Sequence, residues 1–243
     1  MIINTPYEKL QRGPKGGHLQ VIDYDASNEC YYQAVDLEDP RILLINGLDP
    51  DESDPLFHQQ MVYAVASETI MRFETSLGRS IKWSFAKRGG DKGEWKDPDY
   101  RKRLRIFPHA MQEANAFYSR ELRGLLFGYF SSQADSELNL PGQTVFTCLS
   151  HDIIAHETTH ALIDSQKDYF ADPTSVDAPA FHEAFADIVA LFQHFTFKEP
   201  LLEVIRETGG KIFLTKTPPL SMPDESGPRF QAEIGTYKPM NLL

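Results

Sequence analysis

The chain has 243 residues, enough to bury a sizeable core in one large domain or two lobes. Hydrophobic residues make up 41% and charged ones 24%, which excludes a disordered or fibrous chain, and no repeat or low-complexity tract interrupts them. A formal net charge of −11 makes nucleic acid and anionic membranes poor partners, and no apolar run approaches the length of a membrane span. Two cysteines, Cys30 and Cys148, are too few for a disulfide framework. Residues 1–6 lack a basic region followed by an apolar core, so the chain as given points to the cytoplasm.

Residues 1–20 carry Pro6, Gly13, Pro14, Gly16 and Gly17 and read as a turn-rich entry. Residues 19–24 and 41–45 read as short strands, with an ambiguous stretch over 29–39 between them. The acidic stretch 49–54 lacks the oxygen spacing of an EF-hand loop and reads as a solvated turn. Asp54 and Pro55 then open a helix, Asp54 as cap and Pro55 in the first turn. Val62, Val65, Ala66, Ile70, Phe73 and Leu77 follow in steps of three and four and mark its buried face, and Gly78 closes it.

Residues 81–85 suggest a strand, and 86–103 a basic loop broken by glycines and Pro98, solvated beside an acidic body. Further strands are expected at 104–107, 115–118, 125–130 and 144–148. Ser150 caps a helix that ends near Gln166. Pro179 starts the next helix, which is apolar nearly all round through Phe197, a pattern that predicts burial. Residues 201–207 suggest a short helix, and 215–243 a proline-rich tail.

The chemistry concentrates in His156-Glu157-Thr158-Thr159-His160, an H-E-x-x-H stretch. On a helix, His156 and His160 share one face and reach one metal ion from one side. Glu157 stands one step of about 100° around the helix, suited to take a proton from water at that metal. Catalytic zinc usually takes three protein ligands, so a third belongs on a facing element. Glu183 and Asp187 are again four apart: Glu183 reads as the third ligand, and Asp187 as acceptor of the free ring N–H of a ligand histidine. Carboxylates on a buried helix need partners, and a metal with its histidines would satisfy both. His182 reads as a hydrogen-bonded neighbour of the ligands or a core residue, not as a ligand.

These residues resemble the motifs of the thermolysin-like zinc metallopeptidases, which are gluzincins. The family's D-x-x-A-H-E-x-T-H is matched at Asp152, Ala155, His156, Glu157, Thr159 and His160. Its N-E-x-x-x-D is matched at Glu183 and Asp187, with His182 in place of the asparagine. Asn115-Ala116-Phe117-Tyr118 is similar to the family's N-A-F-W edge strand, so Asn115 and Ala116 are the implied contacts to substrate backbone. The likeness runs loosely from Asp54 to Asp187.

The resemblance implies an α+β, zincin fold. A β-rich N-terminal lobe would span residues 1–150, with the long helix near 55–77 inside it. The active-site helix and an incomplete helical lobe would fill 151–243. It implies a zinc-dependent endopeptidase with one zinc per chain and a peptide or protein substrate, and it implies export, which the chain's start does not. Calcium is not carried over. Asp152 holds the position of a calcium-binding acid, but residues 191–195 offer none of the companion carboxylates.

The family's oxyanion-stabilising histidine has no counterpart after His194. Arg206, Lys211 and Tyr237 are the remaining donors, unless a longer chain completes the helical lobe. Two other readings stand beside the peptidase. One is a zincin-scaffold module, catalytically weak or inactive, that binds peptide or protein along the edge strand. The other is a structural zinc site, disfavoured because neither cysteine lies near the ligands in sequence.

Overall fold

Leu104 and Ile106, and likewise Leu125 and Phe127, alternate along two segments and are wholly buried, which is the pattern of strands at the centre of a sheet. The structure is a computed structural model that describes residues 3–83, 85, 102–132, 140–166, 175, 177–198, 201, 202, 205 and 206. These form a mixed α/β arrangement with seven strands and four α-helices. Strand β1 is Leu19–Val21, β2 Tyr24–Asp25, β3 Cys30–Tyr31, β4 Leu104–Met111, β5 Ala116–Ser119, β6 Gly124–Ser131 and β7 Thr144–Phe146.

The main sheet runs β1-β4-β6-β5, with β1, β4 and β6 parallel and β5 antiparallel on β6 at the edge. β7 pairs antiparallel with the far end of β6, and β2 pairs with β3. Pro108 sits inside β4, where it cannot donate to the ladder, and the β4–β6 register shifts between Phe107 and Met111. Gly128 is required by close approach: a Cβ there would collide with the Glu113 carbonyl and lie 2.8 Å from that of Asn115. That clearance lets the chain entering β5 cross tightly over β6.

The helices are α1 (Pro40–Leu44), α2 (Pro55–Leu77), α3 (His151–Gln166) and α4 (Asp177–His194). The sequence suggests a strand at 41–45, but the chain forms α1 there. Asp39 accepts the Arg41 N–H, and Pro40 presets the first turn, so capping outweighs the aliphatic run. α2 is capped as the sequence predicts, with Asp54 accepting from Leu56 N–H at 2.9 Å and Gly78 closing it at φ 64°. Its buried face ends earlier than expected: Phe73 is half-buried and Leu77, in the last turn, is exposed. Residues 81, 83 and 85 are buried, yet 81–83 pair with no strand among the described residues. β7 stops at Phe146, and Thr147–Leu149 turn as a 3-10 helix into α3. Residues 86–101, with the expected basic loop, and 207–243, with Lys211 and Tyr237, lie outside the described residues.

The core joins β1, β4, β6 and α2 to Ile154, Ala155, Ala161 and Leu162 of α3 and Ala190 of α4. α4 corrects an expectation. Its burial is one-sided: His182, Ala186, Ala190 and Gln193 are buried, while Phe181, Ile188, Leu191 and Phe192 are exposed, as is Phe195 just past its end. A helix apolar all round needs cover all round. Among the described residues, cover comes from α3 and from α2, through Gln193 on Thr69 at 2.9 Å and the Phe73–Phe185 ring contact. Cys30 and Cys148 are both free thiols.

A buried polar chain pins the start of α2 to the sheet. Asp23 Oδ1 lies 2.7 Å from His109 Nδ1, and His109 Nε2 lies 2.8 Å from His58 Nδ1. His58 Nε2 faces the Glu52 carbonyl at 3.0 Å, so it carries the proton, and His58 Nδ1 accepts from His109. His109 Nδ1 closes the chain on Asp23 Oδ1, and the other Asp23 oxygen accepts from Gln59 Nε2 at 2.8 Å. Burial, then repulsion from His109, pushes His58 down from 6.5 to about 4.

Asp23→Ala strands two buried donors and is expected to cost about 3 kcal/mol in urea unfolding; a loss below about 0.5 kcal/mol contradicts this account. The His58 shift gives a second expectation. Between about 4 and 6.5 the unfolded chain binds a proton that the folded one does not. The contribution is therefore fully present above 6.5 and is lost as pH falls through 4. Urea midpoints over that range should fall less steeply in His58→Gln than in the wild type.

Candidate metal centre

α3 presents His156 and His160 one turn apart on its buried side, and their Nε2 atoms converge to 2.9 Å. Glu183, on α4, closes the third side. Its Oε2 lies 3.3 Å from His156 Nε2 and its Oε1 3.6 Å from His160 Nε2. Asp187, one turn further along α4, takes the remaining nitrogen of His156, with Nδ1 to Oδ1 at 2.9 Å. That contact puts the His156 proton on Nδ1 and leaves the Nε2 lone pair facing His160 and Glu183.

The donor set fits zinc or a similar divalent ion. Two nitrogens on one tetrahedral zinc, at about 2.0–2.1 Å each, stand roughly 3.3 Å apart, so the imidazoles need open only slightly. Without a cation, a neutral His160 can carry its proton on Nε2 and donate it to the His156 Nε2 lone pair at 2.9 Å, and a metal would replace that proton. Burial, with the charges of His156 and His182 adding, pushes His160 down to about 4, so it is a neutral, lone-pair-bearing imidazole at neutral pH.

The centre is open on one side. His156 and His160 side chains are 14% exposed, whereas Glu183 is 65% and Asp187 60% exposed. The carboxylates expected to be buried are therefore at the surface, because α4 is covered only from the α3 and α2 side among the described residues. His182 is buried with its ring nearly parallel to that of His160, centroids 5.8 Å apart.

Glu157 lies on the buried side. Its Oε2 accepts the main-chain N–H of Tyr118 at 2.9 Å. Burial lifts its carboxyl from 4.5 to about 8, opposed by the Tyr118 N–H and assisted by the Glu183 charge. A cation at the centre acts in the opposite direction, since positive charge nearby favours the carboxylate.

The Tyr118 contact also fixes which way β5 faces. Asn115 gives its carbonyl to Gly128 N–H on β6. Backbone groups alternate along a strand, so those of Ala116 and Tyr118 face away from β6, towards α3. Asn115 is exposed, and its Oδ1 accepts the Ala116 N–H at 2.9 Å. The residues expected to meet substrate backbone thus lie on the strand that touches Glu157.

Sequence reasoning missed the clamp beneath. Asp164 is fully buried and accepts from the Tyr118 hydroxyl at 2.8 Å and from Arg120 Nε at 2.9 Å. A second Arg120 nitrogen contacts its other oxygen. Glu157 and Asp164 are seven apart, two turns on one face of α3, which places Asp164 on the Glu157 side but does not reveal its distant partners. β5 is therefore fastened to α3 at two heights.

No protein-family model matches the sequence, and no curated protein matches it. If His156, His160 and Glu183 hold zinc, Asp187→Ala frees the His156 ring and should weaken zinc binding by roughly ten- to a hundredfold in chelator competition. Unchanged affinity contradicts the role given to Asp187.

Proposed function

We propose that the chain is a zinc-dependent endopeptidase with a thermolysin-like zincin fold. One observation carries the reading: three metal-type donors converge beside a buried carboxyl that is hydrogen-bonded to an edge strand. A structural site has no use for that carboxyl, and a buried acid without a task is costly.

When bound, zinc supplies a Lewis acid that lowers the pKa of water towards neutrality and polarises a carbonyl. His156, His160 and Glu183 hold it, and Asp187 orients His156. The outward-facing carbonyls of Ala116 and Tyr118, with the Asn115 side-chain amide, offer an extended peptide hydrogen bonds along β5, while the Tyr118 N–H stays on Glu157. Such bonds read backbone alone, which suits a peptidase of broad side-chain tolerance. Glu157 accepts the proton of the attacking water and delivers it to the leaving amine nitrogen. Tyr118, fastened through Asp164, keeps Glu157 in place between these two transfers.

The runner-up is a peptide-binding module on the same scaffold, with weak or no turnover. Within residues 195–243 no histidine supplies the oxyanion contact that the resemblance implies, and lacking such a donor typically costs a hundredfold or more. Of Arg206, Lys211 and Tyr237, Arg206 lies among the described residues and is exposed.

Glu157→Gln separates the two. For the peptidase it should keep its zinc and lose about 10²- to 10⁴-fold in kcat on a quenched-fluorescence peptide library, with little change in KM. Equal turnover by wild type and variant would sink the assignment of Glu157. A zinc-loaded wild type that binds peptides but cleaves none would establish the module instead.

A further inference from the structure

The Asp23–His109–His58 chain is hydrogen-bonded from end to end, but one other histidine cluster is not. His151, the first residue of α3, is 6% exposed, and neither of its ring nitrogens has a hydrogen-bond partner. An imidazole always carries at least one N–H, and when neutral it also carries a lone pair, so such burial needs an explanation. The ring is wedged against His194, centroids 5.3 Å apart, and against the edge of Phe197 at 5.1 Å. Its Nδ1 lies 3.6 Å from Asp152 Oδ1, too far for a hydrogen bond. The same Asp152 oxygen is paired with His194 Nε2. One donor atom from each of His151, Asp152 and His194 lies within 4.8 Å of the other two.

We propose that His151, Asp152 and His194 form a second metal site, distinct from the His156–His160–Glu183 centre, that takes a divalent transition metal of the zinc class. Two imidazoles and one carboxylate are the mixed nitrogen–oxygen set that zinc accepts. Calcium and magnesium favour six or more oxygens, and the histidines replace the carboxylates such an ion would need. A simple ion pair between Asp152 and His194 would leave His151 unexplained, whereas a metal uses all three groups. On loading, any proton held at a metal-facing ring nitrogen is released to solvent.

The position gives the site a task. His151 and Asp152 open α3 one turn before His156, and His194 ends α4 seven residues after Asp187. A metal there ties the start of α3 to the end of α4. These are the two helices that must hold Glu183 and Asp187 against His156 and His160, and α4 has an exposed apolar outer face. The site lies close enough to the surface for exchange, with Asp152 and His194 side chains 20% and 25% exposed.

The test is zinc titration by calorimetry on chelator-stripped protein carrying His156→Ala and His160→Ala, which disables the first centre. The expected result is one zinc per chain and a thermal midpoint that rises with zinc, both lost when His194→Gln is added. The proposal is overturned if the double variant, folded by circular dichroism, takes up no zinc. It is equally overturned if His194→Gln leaves uptake intact, or if calcium rather than zinc raises the midpoint. Should the double variant fail to fold, wild type and His194→Gln are compared directly: a difference of one zinc supports the site, and equal counts refute it. If the first centre binds no zinc, the wild type holds one and His194→Gln none, so the two claims fail separately.

Discussion

A carboxylate buried between a helix and a sheet persists only if donors meet it, and Glu157 is met by the main chain of the neighbouring strand. The Tyr118 N–H reaches it at 2.9 Å from an edge strand. That single bond makes β5 and α3 one unit, and the rest of the site is arranged around it. Gly128 lets the chain enter β5 by removing a side chain that would strike main-chain oxygens. Asp164 repeats the fastening two turns further along α3, through Tyr118 and Arg120. The histidines follow from the helix itself, since a spacing of four places both imidazoles on one face. The buried Glu157 carboxyl, the two histidines and the outward-facing edge of β5 thus share one junction.

α4 is held differently. It meets the junction by its ligand side, through His182, Ala186, Ala190 and Gln193, and turns aromatic and aliphatic residues outward. Glu183 and Asp187 are consequently exposed. The position of Glu183 therefore depends on how firmly α4 is seated, more than on burial of its own carboxylate. A metal bound by His151, Asp152 and His194 would act on that variable directly, by joining the helix ends.

Much of the centre was legible because helical periodicity converts spacing into geometry. His156 with His160, and Glu183 with Asp187, needed only the period of the helix, and α2 was readable from Asp54, Pro55 and Gly78. Other features were hidden for identifiable reasons. The strand reading of residues 41–45 weighed aliphatic character and overlooked the capping signal of Asp39 and Pro40. Burial of α4 was inferred from composition, but burial depends on what lies outside a helix, and its own sequence is silent on that. The Asp164 clamp and the His58–His109 contact join residues 44 and 51 positions apart in the chain, which no local pattern reports.

The most direct test of the central claim is the anomalous scattering of a zinc-soaked crystal, recorded on both sides of the zinc absorption edge. The account predicts a peak bounded by His156 Nε2, His160 Nε2 and a Glu183 oxygen, with Glu157 beside it and outside the coordination sphere. A zinc-saturated crystal with no anomalous density among those three side chains would contradict the account, and the peptidase reading would fall with it.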